Sequence, residues 1–150
     1  MKTDKILQQA EKTCLEQGGR LTPKRRHVLE ILLEKPQPLS AYEIAEHYQQ
    51  LLNEKIPAMS VYRMLEFLIS QGLVHKLASA NKFIACSHIA CDHGHETPQF
   101  LICDNCQSVR EVGIDNRLIN ALEKSIQDNH FQLNSPQLEL HGLCENCQTQ

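Results

Sequence analysis

Cys103-Asp104-Asn105-Cys106 and Cys144-Glu145-Asn146-Cys147 are the two stretches that decide how this chain is read. A Cys-x-x-Cys turn aims two sulfurs at one point, and two such turns supply the four soft thiolates that tetrahedral zinc prefers. Four sulfurs close the tetrahedron and leave no position for a substrate, so the expected role of this set is structural. Residues 107–143, between the pairs, are too many for a simple zinc ribbon and leave room for a helix and strands. Phe100-Leu101-Ile102 and Val109-Arg110-Glu111-Val112 read as strands flanking the first pair. Asp115 or Asn116 caps a helix whose Leu118, Leu122 and Ile126 share a face, and Leu138-Glu139-Leu140 is a last strand. This half is expected to be α+β, a small sheet covered by one helix. A unit of that size buries little core alone, so a metal staple and a partner chain are both expected.

Immediately upstream, residues 86–99 (CSHIACDHGHETPQ) crowd Cys86, His88, Cys91, His93, His95 and Glu96 into one loop. A second metal site is expected from His75, Cys86, His95 and Glu111, a mixed N, S and O donor set that suits zinc. It draws on both halves of the chain, so a metal there would favour one arrangement of them by differential affinity.

Further upstream the chain changes character. Ile6, Leu7, Ala10 and Cys14 fall at helical spacing over residues 4–17, and Gly18-Gly19 ends that helix. Cys14 reads as a small buried hydrophobe. Thr22-Pro23 is a helix start, followed by Val28, Leu29, Ile31, Leu32 and Leu33 on the buried side. Arg20, Lys24, Arg25 and Arg26 crowd that N-terminus, where cations are unfavourable. An external anion such as phosphate would compensate, and a solvated basic face is the plain alternative. Ser40-Ala41-Tyr42-Glu43 is a capping box opening a third helix with Ile44, Tyr48, Leu51 and Leu52 inward. A fourth helix spans about 58–71, with Val61, Leu65 and Leu68 inward. Residues 73–77 and 82–85 then form a hairpin.

Helices followed by a hairpin form the layout of a winged helix-turn-helix, whose last helix enters the major groove. Tyr62 and Arg63 are then the candidates for DNA contact, and a helical bundle with an arginine on its surface is the plain alternative. The expected architecture is an N-terminal winged helix-turn-helix domain, 1–85, joined to a small C-terminal α/β dimerisation and metal-binding domain with structural zinc, 86–150.

Composition fits a soluble globular protein. The chain has 150 residues, 41% of them hydrophobic and 22% charged, with net charge −3. Residues 1–80 hold 11 Lys+Arg against 9 Asp+Glu, while residues 81–150 hold 4 against 9. No apolar run approaches the roughly 20 residues of a membrane span, and the N-terminus lacks a signal peptide's apolar core. The expected compartment is the cytoplasm, where seven cysteines read as metal ligands before disulfides.

Taken together, Leu21-Thr22-Pro23-x-Arg25, Ser60-Val61-Tyr62-Arg63-x-Leu65, Gly72-Leu73-Val74, Ile102-Cys103-x-x-Cys106 and Gly142-x-Cys144-x-x-Cys147 resemble the ferric uptake regulator family of metal-dependent repressors. The resemblance covers nearly the whole chain. Val74-His75-Lys76, Cys86, the loop histidine and Val109-x-Glu111 are most similar to its zinc uptake regulator branch. The resemblance implies a homodimer that binds a palindromic operator in double-stranded DNA and represses zinc-acquisition genes when zinc is plentiful.

It implies two zinc sites per chain: structural at Cys103, Cys106, Cys144 and Cys147, and sensing at His75, Cys86, His95 and Glu111, with His93 the alternative loop ligand. It also implies DNA contacts by Tyr62 and Arg63, with Ser60 beside them and Arg20, Lys24, Arg25 and Arg26 on phosphates. No membrane and no small-molecule substrate is implied. The chain departs from the family pattern at Gln107, where Gly is usual, and at Ser60, where Thr is usual. Iron- or peroxide-sensing members rely on His and carboxylate, so a thiolate at Cys86 favours zinc.

Enzyme readings fare worse. There is no His-x-Glu with Pro-Cys-x-x-Cys for a deaminase and no His-Glu-x-x-His for a metalloprotease. The first Cys-x-x-Cys leads into a strand rather than opening a helix, as a thiol oxidoreductase would require. A purely structural zinc module that binds protein leaves Tyr62-Arg63 and the basic turn unexplained.

Overall fold

A computed structural model describes residues 2–87, 89, 99–134 and 137–149. The chain divides into two compact units, Met1–Asp92 and His93–Gln150.

The first unit carries helices α1 (Lys2–Glu16), α2 (Pro23–Glu34), α3 (Ala41–Leu52) and α4 (Ala58–Ser70), then strands β1 (Val74–Leu77) and β2 (Lys82–Ala85). Several helix ends carry the local chemistry that sets them, although α1 runs from Lys2 to Glu16 rather than over residues 4–17 and no side chain caps the start of α4. Gly18, at φ +81°, terminates α1. Thr22 caps α2, its hydroxyl accepting from the Arg25 N–H at 3.4 Å, with Pro23 in the first turn. At α3 the capping box is complete: the Glu43 N–H donates to Ser40 Oγ at 3.1 Å, and the Ser40 N–H donates to Glu43 Oε1 at 3.1 Å. Asn53, left-handed at φ +53°, ends α3.

One apolar core joins all four helices and the hairpin. Leu7, Ala10 and Cys14 of α1, Val28 and Leu29 of α2, Ile44 and Tyr48 of α3, and Val61, Leu65 and Leu68 of α4 are all essentially inaccessible to solvent. Burying each large aliphatic side chain contributes roughly 1.5–3 kcal/mol before entropic costs. Leu51, expected to face inward, is exposed; Ile44 and Tyr48 already fill the inner face of α3, and Leu51 falls off it. β1 and β2 pair antiparallel with His75 opposite Ile84 and Lys76 opposite Phe83. Leu39 forms a bridge to Phe83 through two backbone hydrogen bonds, of 3.0 and 2.8 Å. The segment just before α3 therefore lines the edge of the wing. Cys86 and Ile89 also pack into this core.

The second unit holds β3 (Gln99–Cys103), β4 (Val109–Val112), α5 (Asn116–Asp128), β5 (Glu139–Gly142) and a short α6 (Glu145–Gln148). Its sheet has the order β4-β3-β5, with β3 antiparallel to β4 and parallel to β5. Buried Gln99 fastens the entry to β5, its Oε1 accepting from the Leu138 N–H at 2.5 Å. Asp115 caps α5 through a 2.9 Å bond from the Arg117 N–H. Leu118, Leu122 and Ile126 share a face as expected, yet no residue of α5 is buried within the protomer and Leu118 is 65% exposed. The helix does not bury its apolar stripe on the unit's own sheet. Among the described residues, no helix is long and apolar enough to cross a membrane.

Candidate metal centres and nucleic-acid interface

Strand and turn geometry bring the four paired cysteines together. The Cys103 carbonyl accepts from the Gln107 N–H at 2.9 Å, closing a turn that carries Cys106 back beneath Cys103. The parallel pairing of β3 with β5 places Cys103 opposite Gly142, and the Asp104 N–H donates to the Gly142 carbonyl at 2.9 Å. Cys144 and Cys147 follow directly, one at the cap of α6 and the other within it. The four sulfurs all lie within 4.8 Å of one another. Zn–S bonds of about 2.3 Å imply tetrahedral sulfur–sulfur separations of about 3.8 Å, and the Cys106 and Cys144 sulfurs stand 3.7 Å apart. The donor set and its spacing fit zinc.

The electrostatics of the cluster point the same way. Backbone N–H groups of Cys106 and then Cys144 draw the Cys103 thiol down to about 6. Ser108 lowers the Cys106 thiol, first through its side chain; the two side chains are 3.1 Å apart. At Cys147, Asn105 Nδ2 donates to the sulfur at 3.3 Å and pulls its pKa down. The Cys144, Cys103 and Cys106 sulfurs, with desolvation, push harder the other way, and the thiol ends at about 11. Cys103 is drawn towards the thiolate and Cys147 is pushed away from it, so a bound cation is what would offset the repulsion at Cys147. Asn105 and Ser108 escaped the sequence reading; their positions between and just after the first pair of ligands were the available signal.

Gln107 occupies φ +64°, the left-handed conformation that costs a residue with a Cβ roughly 1–2 kcal/mol. Its side chain partly compensates, Nε2 donating to the Asp104 carbonyl at 2.9 Å. A glycine at this position would adopt the conformation without that cost.

Of the second expected metal set, His75 and Cys86 lie in the first unit. A ring nitrogen of His75, on β1, and the Cys86 sulfur, one residue past β2, are within 4.8 Å of each other. The Cys86 N–H donates to the Leu73 carbonyl at 2.9 Å, which holds the thiol at the end of the wing. Cys86 is buried and His75 half-buried. Glu111 lies in the second unit on β4, opposite Phe100 and half-buried. His95, its alternative His93, and also His88, Cys91 and Glu96 fall outside the described residues.

The expected DNA-contact residues all lie in the first unit. Arg63 is exposed on α4, Ser60 and Tyr62 are half-exposed beside it, and no side chain caps the N-terminus of α4. The Tyr62 ring meets Phe83 of the wing edge-on, with centroids 6.3 Å apart, so the wing sets the tyrosine's direction. Lys76 Nζ stands 6.0 Å from the other partner in that stack, the Phe83 centroid. Around the start of α2, Arg20 is exposed and Lys24 reaches Glu54 at 3.8 Å, a surface pair of little energetic weight. Arg25 differs from its neighbours: its guanidinium carbon lies 3.8 Å from the Phe67 centroid, and Nη1 donates to the Arg20 carbonyl at 2.8 Å.

The model of the ferric uptake regulator family matches residues 16–147. The chain belongs to the ferric uptake regulator family. Like the other members of that family, it is a transcription regulator and not an enzyme. Over 148 residues it is 34% identical to the zinc uptake regulation protein of Escherichia coli K12, covering 97% of this chain and 82% of that protein. It is 29% identical to the peroxide operon regulator of Bacillus subtilis 168 over 147 residues, 94% of this chain and 92% of that one. Among solved structures, it is similar to a zinc uptake regulator complexed with zinc and DNA, with a TM-score of 0.86 and 31% identity over 99% of this chain and 97% of the other.

Proposed function

We propose that this chain is a zinc-responsive repressor of zinc-acquisition genes, acting in the cytoplasm as a homodimer on a palindromic operator in double-stranded DNA, with no small-molecule substrate. The observation that carries the zinc assignment is the Cys86 sulfur held within 4.8 Å of a His75 nitrogen at the end of the wing. A thiolate in a responsive site selects zinc over iron or manganese, which prefer imidazole and carboxylate. The similarity to zinc uptake regulators, one of them bound to zinc and DNA, supports the same assignment.

In this reading each chain has two zinc sites. Cys103, Cys106, Cys144 and Cys147 form the permanent one. His75 and Cys86, completed by Glu111 and His95, form the regulatory one, which raises operator affinity by binding zinc more tightly in the DNA-competent state. Bound zinc supplies a strong positive centre at each set. The protein's own residues do the rest. Arg63 presents five donors suited to guanine edges or phosphate, and Tyr62 is aimed by Phe83. Ser60 offers a hydroxyl at the start of α4, while Arg20, Lys24 and Arg26 lie at the start of α2 for phosphate contact. The open apolar stripe of α5, with Leu118 65% exposed, is the surface a second copy would cover.

The test is duplex binding by protein retaining one zinc per chain, using a duplex that the zinc-loaded protein selects from a random-sequence pool. Added zinc is expected to strengthen binding, and ferrous or manganous ion is not. Equal strengthening by iron would overturn the zinc assignment, and equal affinity with and without chelator would overturn metal control itself.

A further inference from the structure

Four cations crowd the start of α2, and three of them suit the phosphate role. The fourth does not. Arg25 lays its guanidinium on the face of Phe67, 3.8 Å from the ring centroid, and ties Nη1 to the Arg20 carbonyl. Behind it lies the buried Cys14 of α1, whose thiol feels the Arg25 charge. The same ring is approached closely by backbone: a Cβ added to Gly19 would stand 3.2 Å from Phe67 Cε2 and Cζ. Phe67 is thus held between the α1–α2 link and a stacked guanidinium. It lies four residues after Arg63, one helical turn along α4 on the same side. The geometry points to Arg25 as a positioning residue that braces the recognition helix α4 against α1 and α2, rather than as a phosphate contact.

The physical case rests on what arginine does at such a place. Its flat, weakly hydrated guanidinium stacks on aromatic faces in a way lysine's compact ammonium does not match. A hydrogen bond from its edge to a backbone carbonyl fixes the plane of the group. A small rotation of α4 would displace Arg63 and Tyr62 from base edges, so the stack is coupled to DNA affinity without touching DNA. This inference rests on the DNA-binding reading above.

The experiment compares Arg25→Gln, Arg25→Lys, Phe67→Leu and the Arg25→Gln/Phe67→Leu double variant as zinc-loaded full-length protein. Affinity for the pool-selected duplex is measured across a salt series, and urea stability is measured in parallel. A lost phosphate contact flattens the slope of log affinity against log salt by about 0.9 per contact, as Arg20→Gln or Arg26→Gln should show.

For Arg25→Gln the expected result is an unchanged slope with affinity reduced by about 2- to 30-fold per subunit, the range a cation–π contact spans. Phe67→Leu should show the same pattern, Arg25→Lys should restore little, and the double variant should be no worse than either single change. A slope reduced by about one contact per subunit in Arg25→Gln, with Phe67→Leu harmless or additive, would overturn the proposal. If even the wild type ignores DNA, the functional reading fails separately. The stability cycle then decides the brace, which is overturned if Arg25→Gln and Phe67→Leu are strictly additive.

Discussion

Ser40→Ala tests how the first unit is put together. The Ser40 hydroxyl accepts from the Glu43 N–H, and the Glu43 carboxylate accepts from the Ser40 N–H, both at 3.1 Å, while Lys82 Nζ reaches the same carboxylate at 3.4 Å. The substitution removes only the hydroxyl, leaving one N–H of α3 without its cap and the carboxylate still bonded to backbone and lysine. The loss should therefore be that of a single N-cap, about 1 kcal/mol within a range of roughly 0.5–2. With a urea slope of about 1–3 kcal/mol per molar, the midpoint should fall by roughly 0.3–1 M.

Tyrosine fluorescence is the assay of choice. The chain has three tyrosines and no tryptophan, and Tyr42, Tyr48 and Tyr62 all lie in the first unit. The signal follows that unit alone.

Glu43 adds a pH signature. Desolvation raises its pKa, but the Ser40 backbone and hydroxyl bonds and then Lys82 outweigh it, so the carboxyl sits below its ordinary 4.5. A depressed folded pKa means a contribution fully present above 4.5 that is lost as pH falls through the folded value. Glu43→Gln should flatten that acid limb. The Glu43 side chain is 42% exposed, so the effect is small. An unchanged midpoint in Ser40→Ala would refute the cap as a stabilising feature.

Three further outcomes are expected. Gln107→Val keeps a Cβ at φ +64°, makes it β-branched and removes the bond to the Asp104 carbonyl, so the second unit should lose at least the roughly 0.5–1.5 kcal/mol of that hydrogen bond, read by hydrogen exchange of β3 and β4. Asn105→Ala deletes the donor to the Cys147 sulfur and should weaken zinc retention by about tenfold, measured by competition with a chromogenic chelator. Cys14 is fully buried and its thiol is pushed up by that burial, against the weaker pull of Arg25, so native protein should resist iodoacetamide at Cys14 until urea unfolds the first unit.

Much of this molecule is legible in its residues because the signals are local. Thr22-Pro23 and the Ser40/Glu43 box mark helix starts through backbone chemistry within one turn. Val61, Leu65 and Leu68 mark a buried face by spacing alone, and paired Cys-x-x-Cys turns announce their shared target. What stayed hidden depends on chain segments meeting across distance. The Leu39–Phe83 bridge joins residues on either side of two helices. The turn of Arg25 onto Phe67 depends on how α2 packs against α4. The open stripe of α5 was misread as covering its own sheet because periodicity shows that a face is apolar without showing what covers it. Of the proposed sensing set, His75 and Cys86 adjoin at the end of the wing, while His95 lies beyond the described residues.

The central claim is that Cys86 belongs to a responsive zinc site distinct from the four-cysteine frame. The most direct measurement is a zinc titration of duplex affinity for wild type and Cys86→Ser, with bound zinc per chain counted at each point. The account predicts that wild type takes up a second zinc as affinity rises, while Cys86→Ser keeps one zinc, stays dimeric and shows no rise. A Cys86→Ser protein that binds two zinc ions and gains affinity as wild type does would contradict it.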